Sequence, residues 1–98
     1  MIDRQGELAT VSAPMTMNTA GALMHAGIAA IDDGVRTFDL SGTGEVDSAA
    51  LAVLFAWFRH ASSKGVDLQL NSLPAQVNGL ADVYDVSDVI AGHLATSA

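Results

Sequence analysis

The sequence predicts a small α/β domain, and three observations carry that expectation. Segments of alternating residue type interleave with segments of helical periodicity, in the order strand, helix, strand, helix, strand, helix. Ninety-eight residues, half of them hydrophobic, suffice to bury one core without metal or disulfide help. Between Asp39 and Phe58 a β-type run empties through a glycine-bearing turn into the most apolar helix of the chain. Strands on either side of such a helix pair in parallel through a right-handed crossover. The turn at 41–47 then lies at the carboxyl end of a strand and the amino end of a helix, where open α/β sheets usually place their sites.

Each element has its own local reason. Leu8–Val11 alternates as a short strand and Pro14 ends it. Asn18 or Thr19 can cap a helix in which Ala20, Leu23, Met24, Gly27 and Ile31 recur at helical spacing. Asp32-Asp33-Gly34 stops that helix and leads into the strand Val35–Leu40. The central helix runs from about Ser48 to Ser63 and closes on Lys64-Gly65, a basic last turn followed by a C′ glycine. Val66–Leu70 alternates most cleanly of all. Pro74 suits the first turn of a last helix with Val77, Leu80, Ala81 and Tyr84 in one stripe. After Asp85, the residues Val86, Val89 and Ile90 give one more turn or a short strand. The core expected from these patterns holds Leu23, Ile31, Phe38, Leu40, Leu51, Leu54, Phe55, Phe58, Leu68, Leu70, Leu80 and Tyr84.

Charge and composition exclude whole classes of function. Eleven acidic residues face only Arg4, Arg36, Arg59 and Lys64, a net charge of −7 that repels phosphate backbones and anionic lipid heads. Nucleic acid is thereby disfavoured as a partner, and any membrane association should run through another protein. With no cysteine there are no disulfides and no thiol catalysis. The start Met1–Gln5 does not read as a signal peptide, and the apolar run Ala49–Phe58 is about half of the ~20 residues that span a bilayer.

The chemistry-bearing residues are few. Asp47 and Ser48 open the central helix, where either side chain can satisfy orphan amides of the first turn. The helix dipole also favours a negative group there, a phosphate on Ser48 included. Ser48 can therefore be a cap, a switch or a docking contact. Ser41-Gly42-Thr43-Gly44 lacks the lysine of a phosphate-binding loop and reads as a turn. His25, His60 and His93 have no ligand spacing, Asp32-Asp33 reads as a solvated helix end, and no serine has a His and acid constellation. No catalyst, cofactor or metal is expected.

Two stretches resemble a known family. Asp39-Leu40-Ser41 followed by Val46-Asp47-Ser48-Ala49-Ala50-Leu51-Ala52 resembles the signature of STAS domains, which include anti-sigma-factor antagonists and transporter-associated regulators. Met15–Ala20, Phe55-Ala56-Trp57-Phe58-Arg59, Leu73-Pro74 and Leu80–Tyr84 are similar to its MlaB branch, the cytoplasmic STAS subunits of the Mla ABC phospholipid transporter. The resemblance covers roughly residues 6–90. It implies a single STAS-type domain over 1–98, with a mixed sheet of about four strands and three to four helices, and frayed ends at 1–5 and 92–98. Relatives carry a full strand before the position of Gly6, so the sheet edge is expected to be shortened or completed by a partner. Gly42 and Gly44 loosen the 41–46 turn relative to the family, and Asp85 stands where a glycine is common.

For function, the resemblance implies a non-enzymatic regulatory subunit at the cytoplasmic side of the inner membrane. It would bind and stabilise or activate an MlaF-like ABC ATPase, in a complex with permease and lipid-binding subunits, for phospholipid transport between inner and outer membranes. The alternative is an anti-sigma-factor antagonist switched by phosphorylation of Ser48. The central helix carries more apolar surface than one core face requires, with Ala49, Val53, Ala56 and Trp57 falling largely opposite Leu51, Leu54, Phe55 and Phe58. Asp47, Ser48, Ala49, Val53 and Trp57 are accordingly the expected partner-binding residues, Trp57 as anchor. The competing expectation is that Trp57 and Val53 pack under the neighbouring helix.

Overall fold

The computed structural model describes residues 1–94. A four-stranded mixed sheet, ordered β1-β2-β3-β4, is combined with four helices. In chain order the elements are β1 (Ile2–Gln5), β2 (Leu8–Val11), α1 (Ala20–Asp32), β3 (Thr37–Asp39), α2 (Ala49–Ser63), β4 (Gln69–Asn71), α3 (Ala75–Val83) and α4 (Ser87–Ala91). β2, β3 and β4 run parallel, with Ala9 opposite Phe38 and Phe38 opposite Leu70. The expected α/β class and the parallel pairing across the central helix are what the chain adopts. β3 and β4 are shorter than Val35–Leu40 and Val66–Leu70, because Val35 and Val66 belong to the helix stops described below.

The first five residues are not a frayed end. Ile2–Gln5 pair antiparallel with β2 through a two-residue turn at Gly6-Glu7, Ile2 opposite Val11 and Gln5 opposite Leu8. Alternation in Ile2-Asp3-Arg4-Gln5 is nearly invisible because only Ile2 carries an apolar side chain. An edge strand needs little apolar surface, and charge along it discourages further pairing. At the other edge, Leu94 bridges Leu70, the Leu70 amide donates to the His93 carbonyl, and the His93 ring stacks on Phe58 at 3.8 Å. Residues 92–94 are therefore tied down, and the expected frayed tail at 95–98 lies outside the described residues.

Three helices end by the same device. The amide after the C′ residue reaches back to the C3 carbonyl, from Val35 to Ala30, from Val66 to Ala61 and from Val86 to Ala81. The C′ residues take left-handed φ: Gly34, Gly65, and Asp85 at 58° in place of a glycine. The single turn α4 resolves the ambiguity after Asp85 in favour of helix.

Ala9, Val11, Phe38, Leu40, Leu68 and Leu70 form the buried face of the sheet, and Thr10, Thr37, Asp39, Gln69 and Asn71 the half-exposed one. Helix α2 lies on the buried face with Trp57 stacked on Phe38, ring centroids 4.2 Å apart and planes 13° from parallel. Trp57 and Val53 are fully buried, which overturns their expected place on an outward docking face. The indole donates to the Leu23 carbonyl of α1 at 3.1 Å, so α2 is flanked by α1 on one side and α3 on the other while resting on the sheet. A helix in the middle of one layer buries three sides, and its excess apolar surface belongs to the core. Most of the expected core is buried as well. The exceptions are Phe55 and Leu80, half-buried between α2 and α3, and Tyr84, which is 56% exposed.

Candidate functional site

The turn between β3 and α2 is built by short-range bonds. The Ser41 amide donates to the Asp39 carboxylate at 2.9 Å, and the buried Thr43 hydroxyl donates to the Leu40 carbonyl at 3.0 Å. Gly42 lies so close to the Val11 carbonyl that a β-carbon would fall 2.9 Å from its oxygen, so the turn needs glycine there for approach. Backbone bonds from Met15 to the Glu45 carbonyl (2.9 Å) and from Asp47 to the Met15 carbonyl (3.1 Å) tie it to the loop that precedes α1.

Asp47 is the fastening residue of this end. Its Oδ1 accepts from the Ala49 amide at 2.8 Å and its Oδ2 from the Met17 amide at 3.1 Å, so one carboxylate caps α2 and holds the neighbouring loop. Ser48, by contrast, has helical φ and ψ (−61°, −20°) and caps nothing through its side chain. Its hydroxyl is exposed and makes no hydrogen bond among the described residues. Of the three roles open to Ser48, the structure withdraws that of cap and gives it to Asp47.

Ser48 stands at the rim of two adjoining troughs, of about 520 and 550 Å³, one between α2 and the α3–α4 turn and one between the start of α2 and α3. The first is floored by Leu51, Ala52 and Phe55 and walled by Tyr84 and Val86. The second runs from Val46 and Asp47 across Gly79 and Leu80 to Val83. Val83 and Tyr84 project into solvent at 79% and 56% exposure, an apolar display that one core does not require. Of the expected partner-binding residues, Asp47, Ser48 and the half-buried Ala49 share this end of α2, whereas Val53 and Trp57 lie in the core. Tyr84, Val83 and Gly79 border the troughs as well and are not among the expected partner-binding residues. The sequence signal for Val83 and Tyr84 is their adjacency at the end of a short helix, where one amphipathic stripe cannot bury both.

Three of the four cations are paired with carboxylates. Arg4 pairs with Asp33, Arg36 lies 3.7 Å from Glu7, and Lys64 lies 3.9 Å from Asp32, all at the ends of strands and helices remote from the turn. The His60 ring contacts Asp32 at 2.7 Å, and that hydrogen bond holds the Asp32 carboxyl below its ordinary value. The helix end Asp32-Asp33 is solvated as expected, and it is also ion-paired. Around the troughs the single charged lining residue is Asp47. No group of three or more metal-ligating side chains lies together among the described residues.

A two-layer domain with this strand order, and an exposed serine at the start of the central helix, is a STAS-type interaction module. The chain belongs to the family described as "Mlab, STAS domain", whose model matches residues 3–94. A comparison with curated proteins finds no match. Among solved structures it is similar to a candidate anti-sigma factor antagonist from Thermotoga maritima, with a TM-score of 0.73 at 14% identity, covering 99% of this chain and 86% of that one. A sulfate transporter family protein from Wolinella succinogenes aligns with a TM-score of 0.66 at 13% identity, over 96% of this chain and 79% of that one. The anti-sigma factor antagonist SpoIIAA in its unphosphorylated form aligns with 0.64 at 10% identity, over 100% of this chain and 88% of that one. Identities this low establish the shared fold alone. No helix of the described residues is long and apolar enough to cross a membrane.

Proposed function

We propose that this chain is a non-enzymatic regulatory subunit that docks on the ATPase of an ABC phospholipid transporter and stabilises or activates it. The observation that carries the reading is the unengaged Ser48 hydroxyl beside an apolar trough with Tyr84 exposed at its edge, in a chain of the MlaB STAS family. A free hydroxyl supplies a directional contact, the trough supplies area to bury, and the chain's net charge of −7 favours Lys and Arg on the partner. Nucleotide hydrolysis is left to the MlaF-like ATPase, and contact with the inner membrane runs through that subunit and its permease, on the cytoplasmic side. The test is to purify the ABC ATPase complex with and without this chain and compare yield and ATPase rate. Copurification with higher rate or stability supports the reading, and an ATPase that neither binds nor responds overturns it.

The second reading is a phosphorylation switch at Ser48, as in an anti-sigma-factor antagonist, and the exposure of that hydroxyl favours it. The surroundings oppose it. The Ala49 amide is already taken by the Asp47 carboxylate and the Ala50 amide by the Asp47 carbonyl. A phosphate on Ser48 would meet a like charge and occupied donors, and would act by unseating Asp47. Mass spectrometry of protein from the native cell separates the two readings, since Ser48 unmodified in all growth conditions leaves the switch without support.

A further inference from the structure

Three glycines lie within helices: Gly21 and Gly27 in α1 and Gly79 in α3. Gly27 is required by its own domain, because a β-carbon there would fall 2.0 Å from the Trp57 indole nitrogen. Gly79 has no such reason. Its φ is not left-handed, and a β-carbon on it would meet nothing within 4 Å. It stands at the centre of a nine-residue helix that has no side-chain cap, where glycine weakens the helix most. Within the isolated domain alanine would serve better at this position.

Gly79 also lines the trough that Ser48 and Asp47 border. We propose that Gly79 is the point of closest approach of the partner, whose backbone passes over the bare Cα of α3 while one of its apolar side chains enters the trough beside Ser48. This rests on the ATPase docking reading above. The only charge lining the troughs is Asp47, with no cation, so the segment that crosses Gly79 is flanked by Lys or Arg rather than by carboxylates. The missing β-carbon then sets specificity, because any larger residue at 79 holds the partner off the groove.

The proposal is tested with Gly79→Ala and Gly79→Leu, and with Gly21→Ala as control, since a β-carbon at Gly21 also meets nothing within 4 Å. Each purified variant is melted alone and titrated onto the purified ABC ATPase subunit. Gly79→Ala is expected to raise Tm by about 4 °C while weakening binding by roughly tenfold or more, with Gly79→Leu weaker still. Gly21→Ala should leave binding unchanged. A Gly79→Ala variant that binds as wild type, while Tyr84→Ala still weakens binding, overturns this proposal and leaves the docking reading standing. A lowered Tm for Gly79→Ala also overturns it, since the domain itself would then need the glycine. If the wild-type chain does not bind the ATPase at all, the docking reading falls and takes this one with it.

Discussion

The indole of Trp57 occupies the space where Gly27 would carry a side chain. A β-carbon on Gly27 would fall 2.0 Å from Nε1 and 2.2 Å from Cε2, and that nitrogen donates to the Leu23 carbonyl one turn earlier in α1. The glycine lets α1 approach α2 closely, and the ring, stacked on Phe38, joins both helices to the sheet. Gly27→Ala should therefore destabilise the domain by about 1–3 kcal/mol through overpacking, and Trp57→Ala by about 3–5 kcal/mol through lost burial and a cavity. Urea denaturation checks both. Trp57 is the only tryptophan, so its emission should be that of a buried indole and should report global unfolding.

Leu54 is fully buried on the same helix. Leu54→Ala should cost on the order of 2–5 kcal/mol, and an unchanged denaturation midpoint would mean that α2 is turned otherwise.

Asp47 and Ser48 should separate cleanly. Asp47→Ala removes a cap worth about 1 kcal/mol and also frees the Met17 amide of the preceding loop. Ser48→Ala removes no intramolecular bond and should leave stability within about 0.5 kcal/mol of wild type. A large loss of stability in Ser48→Ala would show that its hydroxyl has an internal partner. On the proposed function the same variant stays folded but loses ATPase binding.

The order of elements, the parallel pairing and the Asp-Ser helix start were legible because each rests on a local pattern: alternation, helical period, a turn, a cap. The orientation of Trp57 was not, because a helical wheel counts apolar arc without saying how many neighbours share it. Placing α2 in the middle of a helical layer requires knowing that α1 comes close, and the hint for that was the small-residue content of α1, with Gly27 and Ala30 on its buried side. The edge strand at Ile2–Gln5 escaped for the opposite reason, since partial burial of a single side chain leaves no period to read. Tyr84 stays out of the core because the stripe Val77, Leu80, Ala81 and Tyr84 outruns the helix that carries it. The helix stops at Val83, and the left-handed Asp85 turns the chain away.

The Asp32 carboxyl, hydrogen-bonded to His60 and close to Lys64, titrates below the 3.8 of a free aspartate. A depressed folded-state value stabilises the fold above the unfolded value, and that contribution is lost as pH falls through the folded one. Asp32→Asn should therefore lower stability near neutral pH and converge with wild type in acid, below about pH 3.8. Asp32 is nearly half exposed, so the difference should be small and shrink further with salt. Denaturation series at pH 3 to 7, at low and high ionic strength, check the sign.

On the proposed function, the anchor role that the buried Trp57 cannot fill falls to Tyr84. It is the exposed aromatic bordering both troughs, with Ser48 across from it on α2. Aromatic side chains with an apolar body and a polar tip dominate the energetics of interfaces, provided that a ring of weaker contacts excludes water around them. Here Val83 and Leu80 on α3, and Ala52 and Phe55 on α2, can supply that ring. Tyr84→Ala should weaken the complex with the ATPase by at least ~2 kcal/mol, while the free domain, which leaves more than half of this residue exposed, should lose about 1 kcal/mol or less. Titration calorimetry on the complex and urea denaturation of the free chain measure the two quantities. An equal loss in both would make Tyr84 a core residue, and no loss in either would remove the trough from the interface.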